Sequence, residues 1–100
     1  MPAQTDDRRL IASFLEMLSA ERGASANTLH AYRSDLEDFT ASIAADGLTL
    51  VAARQEHIAR YLSAASEAGL APASRARRLS ALRQIYKFLL ASAVVAADPT

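Results

Sequence analysis

The sequence predicts an all-α fold, a bundle of four to five helices around one core. Three observations carry this. Alanine supplies 23 of the 100 residues while glycine and proline supply three each, a composition rich in helix formers and poor in breakers. Apolar residues recur at three- and four-residue spacing in four separate segments. No stretch alternates with the period of two that a strand requires. With 51% hydrophobic and 22% charged residues, the chain has the make-up of one globular domain and leaves no room for a second.

The first helix is expected from about Asp6 to Glu21. Leu10, Ile11, Phe14, Leu15 and Leu18 form its apolar stripe, Asp6 and Asp7 suit its positive end, and Gly23 closes it. The second opens at Ser25, a good N-cap, and runs to about Ala45. Leu29, Tyr32, Leu36, Phe39 and Ile43 mark its buried side, with Asn27, His30, Ser34 and Asp38 opposite, and Asp46-Gly47 breaks it. Thr49-Leu50-Val51 reads as a short connection that plugs the core. The third helix, about Arg54 to Ala68, is the weakest amphipath. It buries Ile58, Tyr61, Leu62 and Ala65 and ends at Gly69. The fourth follows Pro72, with Ser74 as its expected N-cap, and reaches about Ala91. Its stripe of Leu79, Leu82, Ile85, Tyr86, Leu89 and Leu90 spans about 140° at about 100° per residue. From Ser92 to Thr100 the periodicity is lost, and Asp98-Pro99 reads as the start of a linker.

Several classes are excluded at once. Zero cysteines rule out a disulfide framework and thiolate metal sites, and His30 and His57 alone cannot build a histidine cage. No apolar run approaches the ~18 residues of a membrane span, and the N-terminus lacks a signal-peptide plan, so a cytosolic location without membrane partners is expected. Phosphate-binding glycine loops and zinc-protease motifs are missing. No cofactor, metal or small-molecule substrate is expected.

Formal net charge is zero, but its distribution is uneven. Residues 1–67 carry six Arg and ten acids, and residues 68–100 carry four Arg, one Lys and one Asp, so the segments are −4 and +4. Between Ala68 and Ala97 there is no acid at all. On the fourth helix Arg77, Ser80, Arg83, Gln84 and Lys87 share an arc of about 120° opposite the leucine stripe. Cations there can neutralise phosphates, and serine and glutamine can reach phosphate or base edges. A plainly solvated face is the competing reading, but such faces usually intersperse Glu at four-residue spacing, which is missing here. Arg75 and Arg78 lie nearer the apolar side, placed to snorkel outward or to pair with acids of other helices. Tyr32, Tyr61 and Tyr86 all fall on apolar stripes and are expected in the core. Asp35, Glu37 and Asp38 read as a solvated acidic patch rather than a catalytic or metal site. No self-contained active site emerges.

Two stretches resemble a known family. Ser25-Ala-Asn-Thr-Leu-His-Ala-Tyr-Arg-Ser-Asp-Leu36 is similar to the S-x-N-T-x-x-x-Y-x-x-D-L signature of tyrosine site-specific recombinases, the phage integrase family. Ala73 to Leu89 looks like that family's R-x-L-S-A-L-R-x-F-Y-x-F-L helix, and Asp98-Pro99-Thr100 resembles the step into its catalytic domain. The likeness runs from Leu10 to Thr100 and is strongest to recombinases of the Xer type.

The resemblance implies an orthogonal, SAM-like core-binding domain that forms one half of a clamp around DNA. By position it points to Thr28, Arg33, Ser74, Arg77, Arg78, Ser80 and Arg83 as DNA contacts, and Lys87 joins them from the basic arc alone. Asn27 is assigned the support of the second helix's start. The implied partners are a double-stranded DNA recombination site and other recombinase protomers, a dimer on one site and a tetramer in synapsis. The family's strand-cleaving residues belong to a catalytic domain that is not in this sequence, so no catalytic residue is expected. A helical module whose basic face meets an acidic protein partner is the alternative.

Overall fold

The computed structural model describes residues 3–100, with side chains from Asp6 onward. Met1 and Pro2 lie outside the described residues. Helix α1 spans Ala3–Arg22, α2 Ala26–Ala44, α3 Gln55–Glu67 and α4 Pro72–Ala91, and no strand occurs among the described residues. Between α2 and α3 the chain makes a hydrogen-bonded turn at 45–47 and a single helical turn at 49–53.

Local chemistry sets the ends of each helix. Gly23, at φ +61°, takes the left-handed conformation that lets the Ala24 N–H return to the Leu18 carbonyl. Ser25 caps α2 as expected, its Oγ accepting the Thr28 N–H at 3.1 Å. Arg54 precedes α3, and its N–H donates to Nδ1 of His57 at 2.8 Å, a cap made by histidine. Ser74 does not cap α4. The helix begins two residues earlier, because Pro72 at its first position already has a helical φ and needs no N–H there, and Ala71 becomes the flanking residue. At the other end α4 stops without glycine, with Ala93 itself at φ +58° and Val94 N–H bonded to the Leu89 carbonyl.

The core holds Ile11, Phe14, Leu15 and Leu18 of α1 and Leu36, Phe39 and Ile43 of α2. Ile58 and Tyr61 of α3 and Ala81, Leu82, Ile85, Tyr86 and Leu89 of α4 complete its helical part. Tyr61 meets Phe39 edge-on at 5.0 Å between ring centres. Leu90 is a correction: it is 41% exposed. The stripe of α4 centres on Leu82 and Leu89, and Leu90, a further ~100° around the helix, is carried past its edge. Leu62 and Ala65 of α3 are half-buried.

Leu50 is the plug the sequence suggested. It is fully buried, its N–H donates to Oδ1 of Asp7 at 3.2 Å, and its carbonyl accepts the Tyr86 hydroxyl at 2.8 Å. Burial pushes the Asp7 carboxyl above its usual range, assisted by neighbouring Asp6 and opposed by the Leu50 N–H. Helix α2 packs on all three others and α4 does likewise, whereas α1 and α3 make no contact among the described residues. The α2–α4 seam is thus the centre of the bundle. Past α4 the chain turns, and Val95 rests against the core before Asp98 and Pro99. Among the described residues no helix is long and apolar enough to cross a membrane.

Candidate nucleic-acid interface

Along their seam α2 and α4 run in opposite directions, so residues early in one meet residues late in the other. Tyr32 meets Ser80 and Gln84, Asp35 meets Arg77, and Asp38 meets Arg78. Gln84 Nε2 donates to the Tyr32 hydroxyl at 2.9 Å and to Ser80 Oγ at 3.0 Å, while its Oε1 accepts from Arg22 Nη1 at 3.4 Å. That row ties α1, α2 and α4 together at one end and fixes both polar residues of the basic arc.

Arg77 grips Asp35 with a fork: Nε donates to Oδ2 at 2.8 Å and Nη2 to Oδ1 at 2.9 Å. The Asp35 side chain is 3% exposed and that of Arg77 is 44% exposed. The hydrogen bond to Asp35, then its charge, raise the Arg77 guanidinium further above its ordinary value. Arg78 turns inward, as one of its two expected placements had it. Its Nη1 donates to Asp38 Oδ2 and to the Tyr61 hydroxyl, both at 2.6 Å, and its guanidinium carbon sits 5.8 Å from the Tyr61 ring centre. Burial disfavours the charge on Arg78, but Tyr61 and Asp38 outweigh it. The Tyr61 phenol is pushed above its ordinary value by burial first, then by its hydrogen bond to Asp38. Arg75 has no ion pair among the described residues and donates from Nη1 to Ser66 Oγ of α3 at 3.0 Å.

The expected acidic patch therefore needs correcting. Asp35 is buried, and Asp38, although half-exposed, is bonded to both Tyr61 and Arg78. Helical periodicity placed Asp38 opposite the apolar stripe of α2, and it says nothing of the neighbouring helix, whose arginines cover Asp35 and pair with both acids. The tyrosines behave as expected, Tyr61 and Tyr86 buried and Tyr32 half-buried on the seam.

The other expected contacts are scattered. Arg83 and Lys87 project from the outer side of α4, exposed and without an ion pair among the described residues. Thr28 is exposed at the start of α2, its Oγ1 accepting from Ser25 Oγ. Ser74 is half-exposed in the first turn of α4. Arg33 lies on the opposite flank of α2, in the groove toward α1 with Glu16 and His30. Arg22 was not among the expected contacts. It ends α1 beside Gln84 and Lys87, and its place in the last turn was the available signal. No group of three or more acidic or histidine side chains poised to hold a metal ion occurs among the described residues.

A helical domain with a basic outer helix and two recombinase-like motifs defines a narrow class. The chain belongs to the family described as "Phage integrase, N-terminal SAM-like domain", which matches residues 11–93. Among curated proteins it is 50% identical over 90 residues to "Tyrosine recombinase XerD" of Brucella abortus, covering 90% of this chain and 29% of that protein. It is 49% identical over 90 residues, with the same coverage, to the protein of that name in Rhizobium meliloti. The Caulobacter vibrioides protein is 43% identical over 88 residues, covering 88% of this chain and 29% of its own length. The chain thus spans under a third of the length of the curated relatives it matches. No solved structure matches it significantly.

Proposed function

We propose that this chain is the core-binding domain of a Xer-type tyrosine recombinase and clamps one face of a double-stranded recombination half-site. The observation that carries this is the outer side of α4, where Arg83 and Lys87 have no ion pair among the described residues and stand in a thirty-residue stretch without acids. Membership of the integrase family and the relatives' name support it. Arg22 beside Lys87 extends the cationic edge, and Thr28 and Ser74 offer hydroxyls at the two helix starts. Such groups hold phosphates and set register, leaving strand cleavage to a catalytic domain reached through residues 92–100.

The parent protein pairs on one site and forms a tetramer across two, and its cut-and-rejoin activity serves chromosome dimer resolution or element integration and excision. Its place is the cytoplasm, on the nucleoid. Fluorescence anisotropy of the chain on a duplex of about 30 base pairs tests the reading. Binding that weakens steeply with salt supports a phosphate-contacting face. No binding at low salt refutes it for this chain and leaves an acidic protein partner as the occupant of α4.

A further inference from the structure

Arg77 differs from the other cations of α4 in one respect. Its charge is already matched by a buried carboxylate, yet nearly half of its side chain reaches solvent. A guanidinium carries five N–H groups in a rigid fork. Asp35 takes Nε–H and one hydrogen of Nη2, so the terminal edge formed by Nη1 and Nη2 stays free. Nη1 makes no hydrogen bond among the described residues. Arg78, by contrast, is 21% exposed and spends Nη1 on two partners.

We infer that Asp35 is a positioning residue that holds the free edge of Arg77 toward a backbone phosphate of the duplex while cancelling its charge. The inference rests on the DNA-binding reading and deepens it. Asp35 also lies 3.7 Å from Arg78 Nε, and with Asp38 it balances both arginines, so this cluster releases no counterion of its own and Arg77 contributes orientation and a two-pronged hydrogen bond rather than electrostatic affinity. Arg22, Arg83 and Lys87 supply the salt-dependent part, and Arg77 supplies register. A packing role alone for the pair makes a different prediction, since DNA binding would then follow only from whether the chain is folded.

The test is the salt dependence of binding to a random 30-base-pair duplex, measured by anisotropy below the melting temperature of each variant. Arg77→Lys keeps the charge and one bond to Asp35 but loses the fork. It is expected to weaken binding about tenfold at fixed salt, the worth of one charge-assisted hydrogen bond, with an unchanged salt slope. Asp35→Asn leaves the geometry and removes the cancelling charge, so the slope should steepen by about 0.9, one additional phosphate's worth. If Asp35→Asn fails to fold, Arg77→Lys still decides. Binding by Arg77→Lys equal to that of the unaltered chain overturns the inference and spares the DNA-binding reading. An unchanged slope in folded Asp35→Asn also overturns it. Failure of the unaltered chain to bind at low salt overturns both.

Discussion

Replacing Arg83 and Lys87 together with glutamine separates the cations that face outward from those already paired inside. Three cations on or beside the outer side of α4 lack a carboxylate partner among the described residues: Arg22, Arg83 and Lys87. At about −0.9 per neutralised phosphate, three contacts give a slope near −2.7, or about 40-fold weaker binding between ~50 and ~200 mM salt. If Arg77 and Arg78 also counted as free cations, five contacts would give about 500-fold over the same range. The double variant leaves one contact and predicts only about 3.5-fold. Anisotropy titrations at four or five salt concentrations resolve these values. Both side chains are exposed, so the helical melt should be unchanged, which separates lost contacts from lost folding. A double variant that keeps the slope of the unaltered chain would refute placement of the phosphate contacts on this side of α4.

Three further outcomes concern the bundle itself. Leu50→Ala empties a fully buried site that surrounding helices cannot easily refill, so urea unfolding should show a loss of about 2–5 kcal/mol; a loss below ~1 kcal/mol would mean the connection is not a core element. Asp7→Asn retains an acceptor for the Leu50 N–H and removes a carboxylate whose protonation is favoured by folding. Because its folded pKa is raised, Asp7 contributes stability when protonated, below its unfolded value of 3.8, and loses it as pH rises through the folded value. The variant should therefore be more stable than the unaltered chain near neutral pH, and the gain should disappear in thermal melts below about pH 3.8. Ala93→Gly relieves a left-handed backbone at φ +58°; the ~1–2 kcal/mol of strain, less glycine's greater unfolded-state freedom, predicts a melting temperature about 2–8 °C higher.

Helices were legible because their signals are local. Ser25, Gly23, Gly69 and the leucine spacing each act within a few residues, and the observed limits of all four helices fall within three residues of those expected. Pro72 shows where two local signals competed: a serine that could cap and a proline that could start, two residues apart. Proline prevailed because its ring fixes φ whatever its neighbours do, while a cap at Ser74 needs Ser74 itself to stay extended. Leu50 was legible as a plug but not its polar anchors, since Asp7 and Tyr86 lie 43 and 36 residues away along the chain.

The candidate interface was legible as a charge pattern and misleading as a list of contacts. A wheel of α4 places Arg77 and Arg83 on one arc with equal standing, because it records direction from one axis and nothing of the neighbouring helix. In the fold α2 lies along one edge of that arc. Arg77, at this edge, meets Asp35, and Arg78, a step around the helix, meets Asp38. Arg83, six residues on from Arg77, has no acid within reach among the described residues and keeps its charge for a partner outside the chain. The acid-free run of thirty residues therefore overstated the usable charge: the acids that balance two of its five cations, Arg77 and Arg78, were present, but on another helix. What the duplex meets under this reading is a smaller cationic edge, Arg22, Arg83 and Lys87, beside an arginine whose contribution is direction. A weak, strongly salt-sensitive domain with a fixed orientation suits a clamp that is completed by a second half.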